Sequence, residues 1–143
     1  TKEIPQIRER ERPAFDINIW VKSVREVILE VKPPKNNYSF DFQIAGLSWP
    51  DAHFDLIFSD ALSDDAIQAM NERIGNFVNG WNEQEEQNGQ EDFIHNMLDM
   101  RRTDEKSCEV LIDFGSASEL SLLKFLDFLQ EIGGDKLTTV VLS

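Results

Sequence analysis

The chain has 143 residues, with 27 acidic against 14 basic side chains, which gives a formal charge of −13 and a pI of about 4.4. This length supports one hydrophobic core without disulfides or a metal, and a single cysteine, Cys108, excludes an internal disulfide. A negative surface argues against direct binding to nucleic acid or to an anionic membrane, because phosphate groups are bound by positive surfaces. We therefore expect one acidic domain that binds a protein, without a cofactor or a small-molecule substrate.

The N-terminal residues do not have the pattern of a secretory signal. Residues 1–12 are charged where a signal peptide would be apolar. No apolar run approaches the ~20 residues that cross a bilayer. These patterns predict a cytoplasmic protein without a membrane partner. Because the chain begins with Thr1 and not with a methionine, we expect its start to have been processed or trimmed.

The negative charge is unevenly distributed along the chain. Residues 1–35 carry eight Lys/Arg and six Asp/Glu, whereas residues 36–143 carry six and 21. Within residues 36–100, Arg73 is the only basic side chain against 13 acids. Such asymmetry is informative about partners and not about fold, and it indicates a basic partner. The alternative is a solvated surface whose charge only keeps the protein in solution.

The first elements are predicted from alternation and from prolines. Residues 1–13 lack apolar periodicity and predict a flexible charged arm, followed by a single domain over 14–143. Residues 17–31 alternate apolar and polar side chains, and their many β-branched residues favour a strand over the helical stripe that also fits. The prolines and asparagines of residues 33–37 then predict a hairpin loop.

Two further strands are predicted at residues 38–47 and 53–59, where aromatic and aliphatic residues alternate with polar ones. Residues 48–51 form the turn between them. Three neighbouring strands joined by short connections predict an N-terminal antiparallel meander.

The clearest helix begins at Ser63, a preferred N-cap residue, followed by Asp64 and Asp65, whose charges suit the positive end of the helix dipole. Apolar residues then recur at helical spacing, at Ile67, Met70, Ile74, Phe77 and Trp81.

The segment after this helix is predicted mostly as loop. Residues 82–92 contain no apolar side chain and predict a mobile acidic loop, because such a segment cannot offset the entropy of ordering it. Residues 93–100 predict a short helix, and residues 101–107 a loop.

The C-terminal part predicts a strand, a helix and a strand. The strand covers residues 108–114, a capping box joins Ser116 to Glu119, and the helix ends at Gly133. Residues 137–142 form an uncharged strand, which we expect inside the sheet. This order predicts a right-handed βαβ unit with parallel strands. The fold class is therefore α+β, with a single mixed sheet and two main helices packed on one face.

Two groups of residues could carry chemistry. Asp51, His53 and Asp55 alternate, so on a strand they would share one face and could bind a divalent metal. Cys108 with His53 or His95 is the only thiol–imidazole pairing available. Because Cys108 alternates with apolar residues, we expect it in the core. We therefore predict no enzyme and no metal site, and keep a small metal-assisted hydrolase using Asp51, His53 and Asp55 as an alternative.

The acidic residues cluster around turns, the start of the first helix and the segment after it. Interfaces combine buried aromatic side chains with a polar rim, and complementary charge accelerates encounter. The predicted partner-binding residues are Trp49, Asp51, Asp55, Asp60, Asp64, Asp65, Glu83, Glu85, Glu86, Glu91 and Asp92.

These patterns predict a non-catalytic acidic protein that neutralises a basic partner. The most concrete form is an immunity protein that inhibits a bacterial, nuclease-type toxin. A nuclease site must be positive to hold phosphates, so an acidic protein can cover it. A nucleic-acid mimic that occupies a DNA-binding protein is a second alternative, but mimicry predicts acids in regular rows along an elongated surface.

Overall fold

The computed structural model describes residues 38–143. The predicted arm at 1–13, the strand at 17–31 and the hairpin loop at 33–37 lie outside the described residues. The described elements are strand β1 (Asp41–Ile44), a turn of 3-10 helix (Trp49–Asp51), β2 (Ala52–Phe58), helix α1 (Asp64–Gln87), β3 (Asn96–Asp104), β4 (Ser107–Asp113), helix α2 (Glu119–Gly133) and β5 (Leu137–Leu142).

The strands form one mixed five-stranded sheet in the order β1-β5-β2-β4-β3. β1 is parallel to β5, while β2 is antiparallel to both β5 and β4, and β3 is antiparallel to β4. β4 and β5 therefore run parallel with β2 between them, and α2 connects them. The α+β class and the parallel strands of the predicted βαβ unit are confirmed, and β5 lies inside the sheet as expected.

The predicted N-terminal meander is wrong for the two of its strands that the structure describes. β1 and β2 do not pair, because β5 lies between them and bonds to both. The physical reason is burial. The uncharged β5 suits an interior position, whereas the short β1 carries Asp41 and pairs only with β5 among the described strands.

Both helices pack on one face of the sheet. Phe54 of β2 is fully buried beneath them, with its ring centroid 4.9 Å from that of Phe125 on α2. Phe77 of α1 contacts the same ring at 5.5 Å. No helix of the described part of the chain covers the opposite face, which we call the open face; its residues include His53, Asp55, Ile57, Glu109, Leu111 and Asp113.

Helix α1 begins as predicted and ends later than predicted. Ser63 Oγ accepts a hydrogen bond from Ala66 N at 3.0 Å, which confirms the N-cap. The helix continues to Gln87, so the prediction of a loop from residue 82 is wrong for its first six residues. Glutamate and glutamine are good helix formers. Hydrogen bonds from the C-terminal end of α1 to other segments also fix its last turns. Gly89, at φ 71°, follows the helix end.

Asn82 explains why this polar stretch is ordered. Its side chain donates to the Ile94 carbonyl at 2.9 Å and accepts from the Ile94 N–H at 2.8 Å. Trp81 Nε1 donates to the Asp92 carbonyl at 2.8 Å. These bonds between side chains and backbone join α1 to residues 92–94. They order this stretch in place of the apolar contacts that it lacks. Among the described helices, none combines the length and the apolar character needed to cross a membrane.

The predicted short helix at 93–100 and the loop at 101–107 are both wrong, because β3 spans most of this stretch and forms a hairpin with β4. Short apolar runs do not distinguish helix from strand, and the adjacent β4 decides the outcome. Asn71 of α1 also holds the strand, since its Oδ1 accepts from Met100 N at 2.9 Å.

The predicted capping box at Ser116 and Glu119 is wrong. Helix α2 begins after Ser118, which takes the N-cap position. Ser116 Oγ instead donates to the Glu91 carbonyl at 2.9 Å and accepts from Phe93 N at 3.3 Å. The hydroxyl therefore holds the segment between α1 and β3. The predicted glycine end is confirmed, with Gly134 at φ 56° after the last turn.

Candidate functional site

One end of the sheet gathers segments that are distant in sequence. The Phe114 N–H donates to the Trp49 carbonyl at 2.9 Å, which joins the end of β4 to the turn before β2. The bonds of Asn82 and Ser116 bring the end of α1 and residues 88–95 to the same place. We call this region the acidic end, after its residues Asp51, Glu83, Glu85, Glu86, Glu91, Asp92 and Asp113.

The acids of the acidic end have no lysine or arginine partner among residues 38–143. His95 lies close to one of these acids, with its Nδ1 3.9 Å from Asp113 Oδ2. Uncompensated carboxylates at this density repel one another and attract cations. The acidic end is therefore the strongest candidate for a charge-selective binding surface.

The opposite end of the sheet carries acids and bases together, and we call it the mixed-charge end. Asp60 pairs with Lys136 at 3.2 Å, and Asp64 pairs with Arg102 at 2.9 Å. Such exposed pairs contribute little to stability, but they neutralise the local field. Asp60 and Asp64 are therefore compensated, whereas Asp65, Glu105 and Asp135 at this end form no ion pair among residues 38–143.

Helix stability does not explain the cluster at the acidic end. Glu83, Glu85 and Glu86 lie in the last two turns of α1, and no basic residue occupies its last turn. Carboxylates there oppose the negative end of the helix dipole, by about 0.3–1 kcal/mol each at low ionic strength. In contrast, Asp64 and Asp65 occupy the first turn, where the dipole stabilises them. Asp64 and Asp65 therefore stabilise the helix whether or not another protein is bound.

The structure brings together more than half of the predicted partner residues and separates the others. Asp51 and the five acids from Glu83 to Asp92 lie at the acidic end. Asp65 is separated from Glu83 by roughly 27 Å of helix, at 1.5 Å per residue. Asp60 and Asp64 lie with Asp65 at the mixed-charge end. One continuous surface through all of them does not exist.

Trp49 does not contribute to the surface. Its residue exposure is 6%, its Nε1 donates to the Ala117 carbonyl at 3.1 Å, and its ring stacks on Phe114 at 4.6 Å. The prediction of Trp49 as a partner contact is therefore wrong. The turn at Pro50 folds the indole under the end of the sheet, where its apolar area and its N–H are both satisfied.

A shallow groove lies beside the acidic end, and the sequence patterns did not reveal it. Its volume is about 200 Å³. Leu98, an exposed residue of β3, forms one wall, and the prediction of a helix over 93–100 hid its pairing with Leu111. The groove is lined by Pro50, Asp51, Asn96, Met97, Leu98, Leu111, Ile112 and Asp113.

A second cluster lies on the open face and corrects the predicted metal row. Asp51 precedes β2 and is not part of it. Its place beside His53 is taken by Glu109 of β4, whose Oε1 lies 2.8 Å from His53 Nε2. Asp55 Oδ1 lies 3.6 Å from the same nitrogen. Antiparallel pairing places Asp55 opposite Glu109, a register that local spacing does not disclose.

Glu109 is held as a carboxylate by its neighbours. The hydrogen bond with His53 lowers the pKa of Glu109 below its ordinary value, and Arg101 on its second oxygen acts in the same direction, while burial opposes both. The three potential ligand atoms of His53, Asp55 and Glu109 lie within 4.8 Å of one another. Arg101 contacts the second oxygen of Glu109, so this carboxylate already has a cationic partner in addition to its hydrogen bond with His53.

Cys108 is not positioned as a nucleophile. The side chain is fully buried on the helix-covered face, opposite Leu56, whereas His53 lies on the open face. Burial raises the pKa of Cys108 to about 11, so the thiol is protonated at neutral pH. The expectation that Cys108 packs in the core is confirmed.

No known protein family, curated protein or solved structure matches this chain.

Proposed function

We propose that this chain is a non-catalytic acidic binding protein that neutralises a basic protein partner through its acidic end. The observation that supports the proposal is the concentration of acids at one end without lysine or arginine partners among residues 38–143, whereas Asp60 and Asp64 at the other end are paired. The charges of Glu85 and Glu86 oppose the helix dipole at the end of α1, so the dipole does not account for this cluster. A cationic surface that covered it would remove that repulsion on binding.

The most concrete partner is a bacterial toxin of the nuclease type, for which this chain would be the immunity protein. A nuclease must present positive charge to hold phosphates, and a compact acidic surface competes directly for that charge. Complementary charge also accelerates association. The compact acidic end fits this role better than nucleic-acid mimicry, for which the acids would follow an extended row.

The proposal is tested by capture from cells that make the protein, followed by identification of what binds. The acidic-end variant combines Glu83→Gln, Glu86→Gln and Glu91→Gln. The matched control combines Glu105→Gln, Glu131→Gln and Asp135→Asn, exposed acids that lie toward the mixed-charge end. We expect a basic protein to be captured by the wild type and the control, and to be lost with the acidic-end variant. An acidic partner, or equal capture by both variants, would contradict the proposal.

The toxin assignment needs one further measurement. The captured protein is assayed for cleavage of DNA and RNA, with and without an equimolar amount of this chain. We expect nuclease activity that this chain suppresses and that the acidic-end variant suppresses at least about 10-fold less well, because about 1.4 kcal/mol corresponds to that factor. A captured basic protein without nuclease activity would leave the binding function and remove the toxin assignment.

A metal-assisted hydrolase is the second candidate, because His53, Asp55 and Glu109 place three ligand atoms close together. Imidazole and carboxylate ligands suit zinc. Titration of the protein with Zn²⁺ tests it, with His53→Ala as the variant and Asp51→Asn as the control outside the cluster. Saturable binding that His53→Ala abolishes would favour this candidate, and absence of binding would exclude it.

A further inference from the structure

The groove beside Asp51 combines an apolar wall with a concave shape. Leu98 is 57% exposed and faces its cross-strand neighbour Leu111 on the open face. Pro50 extends the apolar lining, whereas the side chain of Met97 packs against the core. Single exposed leucines are common and need no explanation, but here several apolar side chains line one depression. Such an arrangement resembles the apolar centre of a protein interface.

The mouth of the groove is acidic. Asp51 is exposed, and Asp113 is half-buried with its Oδ1 accepting from Gly115 N at 2.9 Å. Asp113 Oδ2 lies 3.9 Å from the ring of His95, which is beyond hydrogen-bond distance. The Asp113 carboxylate is therefore held in a fixed orientation while retaining capacity to accept. No lysine or arginine lines the groove within the described part of the chain.

The size and chemistry of the groove identify what it can hold. Its volume, about 200 Å³, is below the roughly 300–1,000 Å³ of sites for drug-sized ligands, so it suits a single side chain. Arginine and lysine carry an aliphatic stem that packs on apolar surface and a cationic head that binds carboxylates. Arginine fits best, because its guanidinium binds carboxylates with two hydrogen bonds.

We infer that this groove is the specificity pocket of the acidic end and that it receives an arginine side chain, flanked by an apolar residue, from the basic partner. The inference rests on the proposed function and adds the location and chemistry of the central contact. The surrounding glutamates steer the partner into place, whereas Leu98, Asp51 and Asp113 select the inserted side chain.

The defined probe is the blocked tripeptide leucine-arginine-leucine, compared with its glutamine counterpart, which has the same apolar residues but no charge. Binding is followed by amide chemical shifts of the full chain. We expect shifts at residues 96–98 and 111–113, with a Kd on the order of 1–10 mM for the arginine peptide and at least about 10-fold weaker binding of the glutamine peptide. Equal binding of the two peptides, or shifts spread evenly over the acidic end, would overturn the inference.

Single substitutions measure the contributions of the apolar wall and of the acidic mouth to peptide binding. Leu98→Ser and Asp51→Asn should each weaken the arginine peptide about 5- to 10-fold. Ile57→Ser is the matched control, because Ile57 is 37% exposed on the same open face but lies at the other end of β2. Unchanged binding to Leu98→Ser, with the folded spectrum retained, would overturn the inference.

A photocrosslinking residue at Leu98 identifies the occupant directly. With p-benzoylphenylalanine at this position in the full chain, we expect the arginine peptide to be crosslinked and the captured partner to be crosslinked through a segment that contains arginine. Crosslinks to residues 1–37 of the same chain, or to a second copy, would overturn the inference. Loss of partner capture by the acidic-end variant together with unchanged capture by Leu98→Ser would remove the groove and leave the proposed function intact.

Discussion

The two ends of this molecule are both rich in acids and differ in how the charge is compensated. At the mixed-charge end, Lys136 and Arg102 pair with Asp60 and Asp64. At the acidic end, no arginine or lysine of residues 38–143 approaches the carboxylates. The comparison shows that the number of acids does not identify a binding surface. The absence of a lysine or arginine partner among the described residues, together with a placement that opposes the helix dipole, makes the acidic end the candidate surface.

Removing the hydrogen bonds of Asn82, which anchor the acidic end, should have the largest effect on stability. Asn82→Ala removes both hydrogen bonds to the backbone of buried Ile94. We expect a loss of about 2 kcal/mol in the free energy of unfolding, because buried backbone groups left unpaired cost about 1–3 kcal/mol. Urea unfolding measures it, with Asn79→Ala, an exposed position of the same helix, as the control. If Asn82→Ala lost no more stability than Asn79→Ala, Asn82 would not anchor the acidic end.

Neutralising the acids at the two ends of α1 should change the free energy of unfolding in opposite directions. Glu85→Gln with Glu86→Gln should raise the free energy of unfolding by about 0.5–1 kcal/mol at low salt, and Asp64→Asn with Asp65→Asn should lower it by a similar amount. Thermal unfolding at two salt concentrations measures both. Changes of the same sign would show that the dipole does not distinguish the two ends.

Substitution of Glu109, in the open-face cluster with His53 and Asp55, should have the smallest effect on stability, and only at low pH. Because the pKa of Glu109 is lowered in the folded state from its ordinary value of 4.5, its stabilising contribution is present above that value. It is lost as the pH falls through the lower folded pKa. We expect the stability of the wild type to decrease relative to Glu109→Gln below pH 4.5. A constant difference between the two proteins over this range would contradict the lowered pKa.

Local patterns were sufficient for several parts of the fold. The α+β class, the cap at Ser63, the glycine end of α2 and the interior position of β5 follow from residues that are close in sequence. β3 and the last turns of α1 were not predictable in this way. They depend on contacts of Asn71 and Asn82 with backbone that lies 29 and 12 residues away.

In the candidate site, too, features that depend on composition were predictable and features that depend on contacts between distant residues were not. Composition located the acidic stretch between residues 36 and 100. It could not show which acids are compensated, because Arg102 reaches Asp64 across 38 residues. Likewise, Glu109 joins His53 and Asp55 only through strand pairing, and Leu98 becomes the wall of a groove only once β3 is recognised as a strand.

On the proposed function, the acidic end carries the electrostatic attraction for the partner. The most direct measurement is the association rate constant of the captured partner at several salt concentrations, for the wild type, the acidic-end variant and the mixed-end control. We predict that the rate constant of the wild type and the control falls about 10-fold or more as ionic strength rises toward ~0.15 M, and that the acidic-end variant starts lower and changes little. Identical salt dependence of all three proteins would show that the acidic end does not attract the partner.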